Sequence, residues 1–299
     1  MNALFTHARP QWAIQGRDWP NRDSSRFVDV DGVRWHVQIQ GAGPALLLVH
    51  GTGAATHSWR SLLPLLSRDF TVIAPDLPGH GFTTMTDGHR LSLPAMAHDL
   101  GRLLRALDLK PAIAVGHSAG AAILLRMAID HRIGPDVLIG LNAAILPIRG
   151  APIFSPLAKL LFRNPIAPKV FAMRAQGADA TRRLLRGTGS DLDDRGIDLY
   201  ARLFQHSGHV AATLGMMANW DLPSLVADLQ RLECPLVLLA AADDKAVPPG
   251  DSRRVAEKVA KGASEVWPEG GHLLHETRPS EVAERITRIA REHGALPPC

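Results

Sequence analysis

Cysteine is nearly absent from this chain of 299 residues, which holds only Cys234 and Cys299. Two such positions, one ahead of an apolar run and one at the last residue, make no disulfide framework. This usage fits a reducing compartment, and the expectation is a cytoplasmic protein. Aromatic residues are also scarce at 5%, too few to interleave with basic side chains as a nucleic-acid surface would need. The net charge of +4 comes from arginines scattered among acids, and the densest group, Arg182, Arg183 and Arg186, fits one solvated helix face. No nucleic-acid partner is expected. The longest apolar run, residues 137–148, is broken by Gly140 and Asn142 and is too short to cross a bilayer. Peripheral contact with a membrane stays compatible with the sequence. The first 23 residues carry neither the apolar stretch nor the small-residue cleavage site of a secretory leader. There is no G-x-x-x-x-G-K-[ST] phosphate loop, no G-x-G-x-x-G after a strand and no His/Cys/carboxylate set at ligand spacing. No cofactor and no metal is expected.

What remains is an ordinary globular composition, 46% hydrophobic and 21% charged, in a chain long enough for one large α/β domain with an insertion. Residues 1–25 read as an extended N-terminal arm. Two alternating runs, 26–30 and 33–39, flank Asp31-Gly32, a hairpin signal. Short apolar runs at 45–49, 71–74, 112–115 and 137–141 read as strands covered on both faces. Between them lie helical patterns at 59–66, 91–107 and beyond residue 120. This alternation predicts a mostly parallel sheet with helices on both faces. From 147 to 222 no strand-like run occurs, only helical segments such as 157–162, 179–185 and 197–205. The strand–helix rhythm then resumes with segments at 225–232, 235–241, 253–259, 265–267 and 282–290. The division expected is a first core part, 1–146, a helical cap, 147–222, and a second core part, 223–299. Such a cap lies over the strand ends, where parallel sheets place their sites.

The chemistry centres on Gly116-His117-Ser118-Ala119-Gly120. A G-x-S-x-G between an apolar strand and a helix puts its serine on a strained turn and aims a helix N-terminus at whatever Oγ attacks. A serine hydroxyl needs a base and an orienter for that base. Downstream, Asp243-Asp244 follows the 235–241 strand, and Gly270-Gly271-His272 follows the 265–267 strand. The order Ser, Asp, His matches such a turn, with Ser118 as nucleophile and His272 as base. Two adjacent carboxylates compete for the acid role; Asp243 also reads as a turn-former capping local N–H groups. For a developing oxyanion the donors expected are the N–H of Ala119 and of Thr52, with Gly53 as second choice. His50 reads as a tie for the oxyanion loop, and His80 as a residue that orders the turn at 79–81. His275 reads as a helix-surface histidine paired with Glu276.

These residues resemble the α/β-hydrolase superfamily: His50-Gly51-Thr52-Gly53, Asp76-Leu77-Pro78-Gly79-His80-Gly81, the Ser118 pentapeptide, Asp244 three residues before Val247-Pro248, and Gly271-His272. The resemblance spans about residues 26 to 290. It implies an α/β-hydrolase fold, an about eight-stranded, mostly parallel sheet flanked by helices, with the cap inserted after the sixth strand. It also favours Asp244 as the acid. Dehalogenases and epoxide hydrolases of this fold carry an aspartate nucleophile, so Ser118 points instead to esterase-, lipase-, C–C-hydrolase- or acyltransferase-like chemistry. A narrower resemblance runs through Asp18-Trp19-Pro20-Asn21-Arg22, Ser25-Arg26-Phe27-Val28, Trp35-His36-Val37-Gln38 and residues 50–60. It is to a family of magnesium-chelatase accessory proteins encoded with bacteriochlorophyll-biosynthesis genes. That implies a photosynthetic bacterium, a small-molecule ester or porphyrin-type substrate, and magnesium chelatase as a partner. Without a phosphate loop the chain is not the chelatase motor itself. The second role compatible with this resemblance is an accessory factor that binds a porphyrin intermediate without turning it over. His117 reads mainly as a packed histidine and, with Phe154, Phe171, Met216 and Trp220, as a candidate wall for the substrate pocket.

Overall fold

The computed structural model describes residues 8–85, 91–147, 167–174 and 177–297. Nine strands form one sheet: β1 (Ser25–Val30), β2 (Val33–Gln40), β3 (Ala45–Val49), β4 (Thr71–Pro75), β5 (Thr84–Met85), β6 (Ile113–His117), β7 (Val137–Leu141), β8 (Leu236–Ala241) and β9 (Gly262–Trp267). Eight of them lie in the order β1-β2-β4-β3-β6-β7-β8-β9, and the two-residue β5 sits beside β2. Pairing is parallel from β4 to β9 and antiparallel where β2 meets β1, β4 and β5. The β1–β2 hairpin turns at Asp31 and Gly32, both at positive φ (49° and 75°), the twist such a tight turn demands.

Every residue of β6, β7 and β8 is buried, because helices cover both faces and leave no solvent side on which a polar residue would be tolerated. Helices Leu93–Ala106 and Ala119–Ile129 close one face around Leu47, Val49 and Ala114. Helices Leu62–Leu66 and Pro279–Glu292 close the other around Leu46, Leu48 and Val115. The edge strand β9 is only partly covered. Between β7 and β8 the described residues hold five helices, Ala167–Arg174, Ala178–Arg186, Asp194–Phe204, Ser207–Ala218 and Leu222–Asp228, and no strand. Ile197, Tyr200 and Phe204 form a small apolar cluster with Ala54 and Leu273 of the core loops, which seats these helices above the strand ends. Among the described residues no helix is long and apolar enough to cross a membrane.

The N-terminal segment departs from the extended arm expected. Its described part coils into a turn of helix at Trp12–Gln15 and a 3-10 turn at Arg22–Ser24. Trp19 is buried, packs edge-on against Phe82 at 4.8 Å, and donates its indole N–H to Thr56 Oγ1 at 2.9 Å. An indole combines a large apolar body with one donor, so a half-polar crevice fixes it and the chain around it.

Under that crevice lies Asp76, fully buried at the end of β4. It accepts from the N–H groups of Thr56 (2.7 Å) and Phe82 (2.8 Å), and its Oδ2 meets His36 Nδ1 at 2.8 Å. Gly81 sits at φ +51°, and a Cβ there would lie 2.2 Å from Asp76 Oδ2. Burial alone would raise this carboxyl's pKa, but His36 and the backbone donors outweigh it and hold it below the usual carboxylate range. A depressed pKa contributes stability above the unfolded value, near 4, and loses it as pH falls. Asp76→Ala, which orphans two buried N–H groups and His36, is expected to cost about 3–5 kcal/mol in urea unfolding. The parent protein is expected to lose stability below about pH 4, and Asp76→Asn to flatten that loss in urea unfolding followed against pH.

Candidate functional site

Ser118 stands at the step from β6 into helix Ala119–Ile129, at φ 51° and ψ −119°. This is a costly conformation for a residue with a Cβ, and the surroundings hold it there. The Ser118 N–H donates to Leu141 O (3.0 Å), while its carbonyl accepts from Ala121 and Ala144. The flanking glycines have a steric reason. A Cβ on Gly116 would lie 2.5 Å from the Ala121 backbone, and one on Gly120 only 2.1 Å from Val49 O. Neither residue has room for a side chain, so the helix passes directly over the end of β3.

That contact brings the loop after β3 against the serine: a Cβ on Gly51 would lie 3.0 Å from Ser118 Cβ. Among the described residues the N–H groups of Thr52, Gly53 and Ala119 have no hydrogen-bond acceptor. Thr52, Gly53, Ala119 and Ser118 border one cavity of about 410 Å³. His50 Nδ1 lies 2.8 Å from Gly51 O and its Nε2 accepts from Leu77 N–H at 2.9 Å, so it joins this loop to the one after β4. In that second loop His80 Nδ1 lies 3.2 Å from Pro78 O.

His272, after β9, opens on the same cavity. Its Nδ1 is 2.9 Å from Asp244 Oδ2, after β8. Asp244 also accepts from the N–H groups of Ala246 (2.7 Å) and Val247 (2.9 Å) and from Asn142 Nδ2 (2.7 Å). Burial works against the charged carboxylate, yet His272 and these donors keep its pKa lowered. Asn142, itself at φ 46° after β7, is a site residue that the sequence reading missed; an Asn just past a strand carries no pattern that marks it. Asp243 turns the other way and accepts from Gly270 N–H (3.2 Å) and Gly271 N–H (2.8 Å). It therefore ties the loop before His272 rather than its own turn, a correction to the local cap expected.

His117 borders the cavity and is buried, with its Nε2 2.9 Å from the carbonyl of His272. Burial, and then the neighbouring His272, push its pKa down to about 3, so the ring is neutral and Nε2 carries the proton it donates. His275 is not on the surface. It is fully buried, 4.4 Å from the His117 ring, with Nε2 2.8 Å from Ser58 Oγ. Ser58 donates onward to Glu276 Oε1, which also accepts from Tyr200 OH and faces Arg60. The short helix Leu274–Thr277 turns inward, and Ser58, Tyr200 and Arg60 take the place of water around Glu276 and His275 Nε2, leaving His275 Nδ1 without a partner among the described residues.

The rest of the cavity is mostly apolar, with Thr188, Tyr200 and Thr213 as further polar side chains on its wall. Phe171 and Trp220 line it, whereas Phe154 falls outside the described residues. Met216 does not line it. On helix Ser207–Ala218 the cavity face is Val210, Thr213, Leu214 and Met217, one stripe at helical spacing, and Met216 points into the core. No lysine or arginine lies among the lining residues described. Substituting Gly120 by Ala is expected to lower stability by about 1–3 kcal/mol through overpacking against Val49 and His50 carbonyls, measured by urea unfolding.

Comparison with known proteins places this arrangement. Residues 46–285 match the alpha/beta hydrolase family. The chain is 38% identical over 273 residues to the magnesium-chelatase 30 kDa subunit of Rhodobacter capsulatus, covering 90% of this chain and 95% of that one. It is 27% identical over 258 residues to the pyrrolizixenacetamide deacetylase of Xenorhabdus hominickii, covering 81% and 89%. A solved alpha/beta hydrolase fold protein from Burkholderia ambifaria superposes with a TM-score of 0.75 at 23% identity, covering 89% of this chain and 98% of that one. At that identity the likeness speaks to fold alone. The family match covers most of the sheet and the turn that carries Ser118, and the chain belongs to the alpha/beta hydrolase family.

Proposed function

We propose that this chain is a serine hydrolase that cleaves an ester or related acyl bond beneath a helical cap, residues 147 to 222. The observation that carries the reading is the meeting of Ser118 and His272 at one cavity, with His272 Nδ1 held by Asp244 at 2.9 Å. Ser118 Oγ attacks the acyl carbon while His272 Nε2 takes its proton, and Asp244 keeps Nδ1 as the donor. The carbonyl oxygen, now negative, faces the unsatisfied N–H groups of Ala119 and of Thr52 or Gly53. Return of the proton from His272 expels the alcohol and leaves an acyl-enzyme. Water, deprotonated by His272, then releases the acid and restores Ser118.

The lining narrows the substrate. A cavity of about 410 Å³ is within the range of small-molecule sites. With no cation in its described wall, an anionic group would be buried unpaired, so the acyl part that enters is neutral and apolar. The similarity to a magnesium-chelatase subunit supports a place beside magnesium-porphyrin synthesis in the cytoplasm, with an esterified tetrapyrrole as one candidate substrate. It supports equally a second reading, in which the apolar cavity holds a porphyrin intermediate for magnesium chelatase without turnover. Trp220 borders the cavity, so a bound porphyrin would quench its fluorescence.

The wild-type chain is expected to react with a fluorophosphonate probe, and Ser118→Ala to abolish that labelling. Wild-type protein that never labels sinks the hydrolase reading. Asp244→Asn is expected to lower kcat by about 10³–10⁴, because it leaves His272 in the wrong tautomer, whereas Asp243→Asn costs far less. In a panel of esters, neutral medium-length acyl groups are expected to exceed acyl groups ending in a carboxylate by roughly tenfold or more in kcat/KM. Titration with magnesium porphyrin, followed by Trp fluorescence and by chelatase turnover, tests the second reading; no quenching and no effect on turnover would remove it.

A further inference from the structure

Helix Ser207–Ala218 turns two faces to the site. Val210, Thr213, Leu214 and Met217 form cavity wall. His209 and Met216, seven residues apart and thus nearly on one line along the helix, reach instead to the loop after β3. His209 is fully buried, with Nε2 3.0 Å from Gly53 O, and it accepts from Gly81 N–H at Nδ1 (3.1 Å). The Gly81 donor settles the tautomer: Nδ1 accepts, so Nε2 carries the hydrogen and donates to Gly53 O. Thr52 Oγ1 donates to Met216 Sδ at 3.6 Å. Between these two anchors lies the 52–53 peptide, whose flanking N–H groups are the donors assigned to the oxyanion. Gly53, at φ +78°, has no side chain to hold itself; a Cβ there would meet Thr213 Cγ2 of the same helix at 3.4 Å.

We infer that helix Ser207–Ala218, through His209 and Met216, sets the oxyanion loop, so that attack by Ser118 depends on how this helix is seated on the core. His209 is a positioning residue: it acts on the reaction through Gly53 and touches no reacting atom. The inference rests on the hydrolase reading above. Its consequence is that an acyl group filling the cavity presses on the same helix that orders the oxyanion donors, and acyl size is read in the rate constant as well as in affinity. Burial pushes the His209 pKa down to about 4, so the ring keeps its acceptor for Gly81 throughout the neutral range.

The two ring nitrogens allow a test. In the full chain, His209→Gln keeps an N–H at the place of Nε2, whereas His209→Asn keeps a polar atom only at the place of Nδ1. Fluorophosphonate labelling is followed to saturation for both, giving a maximal rate constant and a half-saturating concentration. The expected result is a fall in the maximal rate of about 10–100-fold for Asn, as when an oxyanion donor is lost, with half-saturation little changed. Gln is expected to recover to within about threefold of wild type. Met216→Leu keeps shape but offers no acceptor to Thr52 and is expected to lower the same rate constant. It decides the matter alone if the Asn variant does not fold. An Asn variant that labels at the wild-type rate, equal losses for Asn and Gln, or a loss confined to half-saturation overturns the inference. Wild-type protein that does not label overturns the hydrolase reading beneath it, and this inference with it.

Discussion

The site is built around the crossing of helix Ala119–Ile129 over the end of β3, where Gly120 leaves no space for a Cβ beside Val49 O. Everything chemical in the site follows from that crossing. It places the Ser118 turn against Gly51, brings the free N–H groups of Thr52 and Gly53 to the same side as that of Ala119, and lets β6 pair directly with β3. A side chain at residue 120 would push the helix outward and separate Ser118 from the loop after β3. The glycine spacing is therefore a distance requirement between two strands and a helix, and the strain at Ser118 is held by the bonds from Leu141 and Ala144 across β7.

This kind of constraint is why so much could be read from sequence. Hard-sphere exclusion is local and leaves few residue types, so Gly116, Gly120, Asp31-Gly32 and the turn at Asp76 announce themselves. Strands covered on both faces announce themselves too, since β3, β6, β7 and β8 contain almost nothing but apolar residues. What failed was decided by tertiary contact. His275 reads as a surface residue because a helix turn with Glu276 looks solvated, and only the fold brings Ser58, Tyr200 and Arg60 to satisfy the pair. Met216 and Met217 could not be separated because helix Ser207–Ala218 is apolar around most of its girth and gives no phase. Trp19 reads as part of an extended arm because nothing nearby in sequence shows the crevice between Thr56 and Phe82.

Buried histidines follow the same rule. His50, His117, His209 and His275 are all buried, and burial lowers the pKa of each. A neutral imidazole is a rigid group with one donor and one acceptor; His50 and His209 use both nitrogens to join loops, while among the described residues His117 and His275 use Nε2 alone. His50 joins the loops after β3 and β4, His117 supports the carbonyl of His272, and His209 joins the inserted helices to Gly53. His272 differs in that a carboxylate, Asp244, occupies its Nδ1 at the edge of the cavity. In a chain of this kind a histidine count says little about catalysis, and the partner on each nitrogen says nearly everything.

The inserted helices do more than roof the cavity. The turn after helix Ala178–Arg186 presents the Thr188 carbonyl to the N–H groups of both Lys245 and His272, and Ser190 Oγ accepts from Leu273 N–H at 2.8 Å. Gly189 and Gly271 pack so closely there that a Cβ on Gly271 would lie 2.4 Å from Gly189 O. One end of the insert thus braces the loops carrying Asp244 and His272, while helix Ser207–Ala218 braces the loop carrying Thr52 and Gly53. The stretch that lines much of the cavity thus also braces the loops around it. On the hydrolase reading, a change of specificity in this insert cannot be made independently of rate, because the loops after β3, β8 and β9 are all hydrogen-bonded to it.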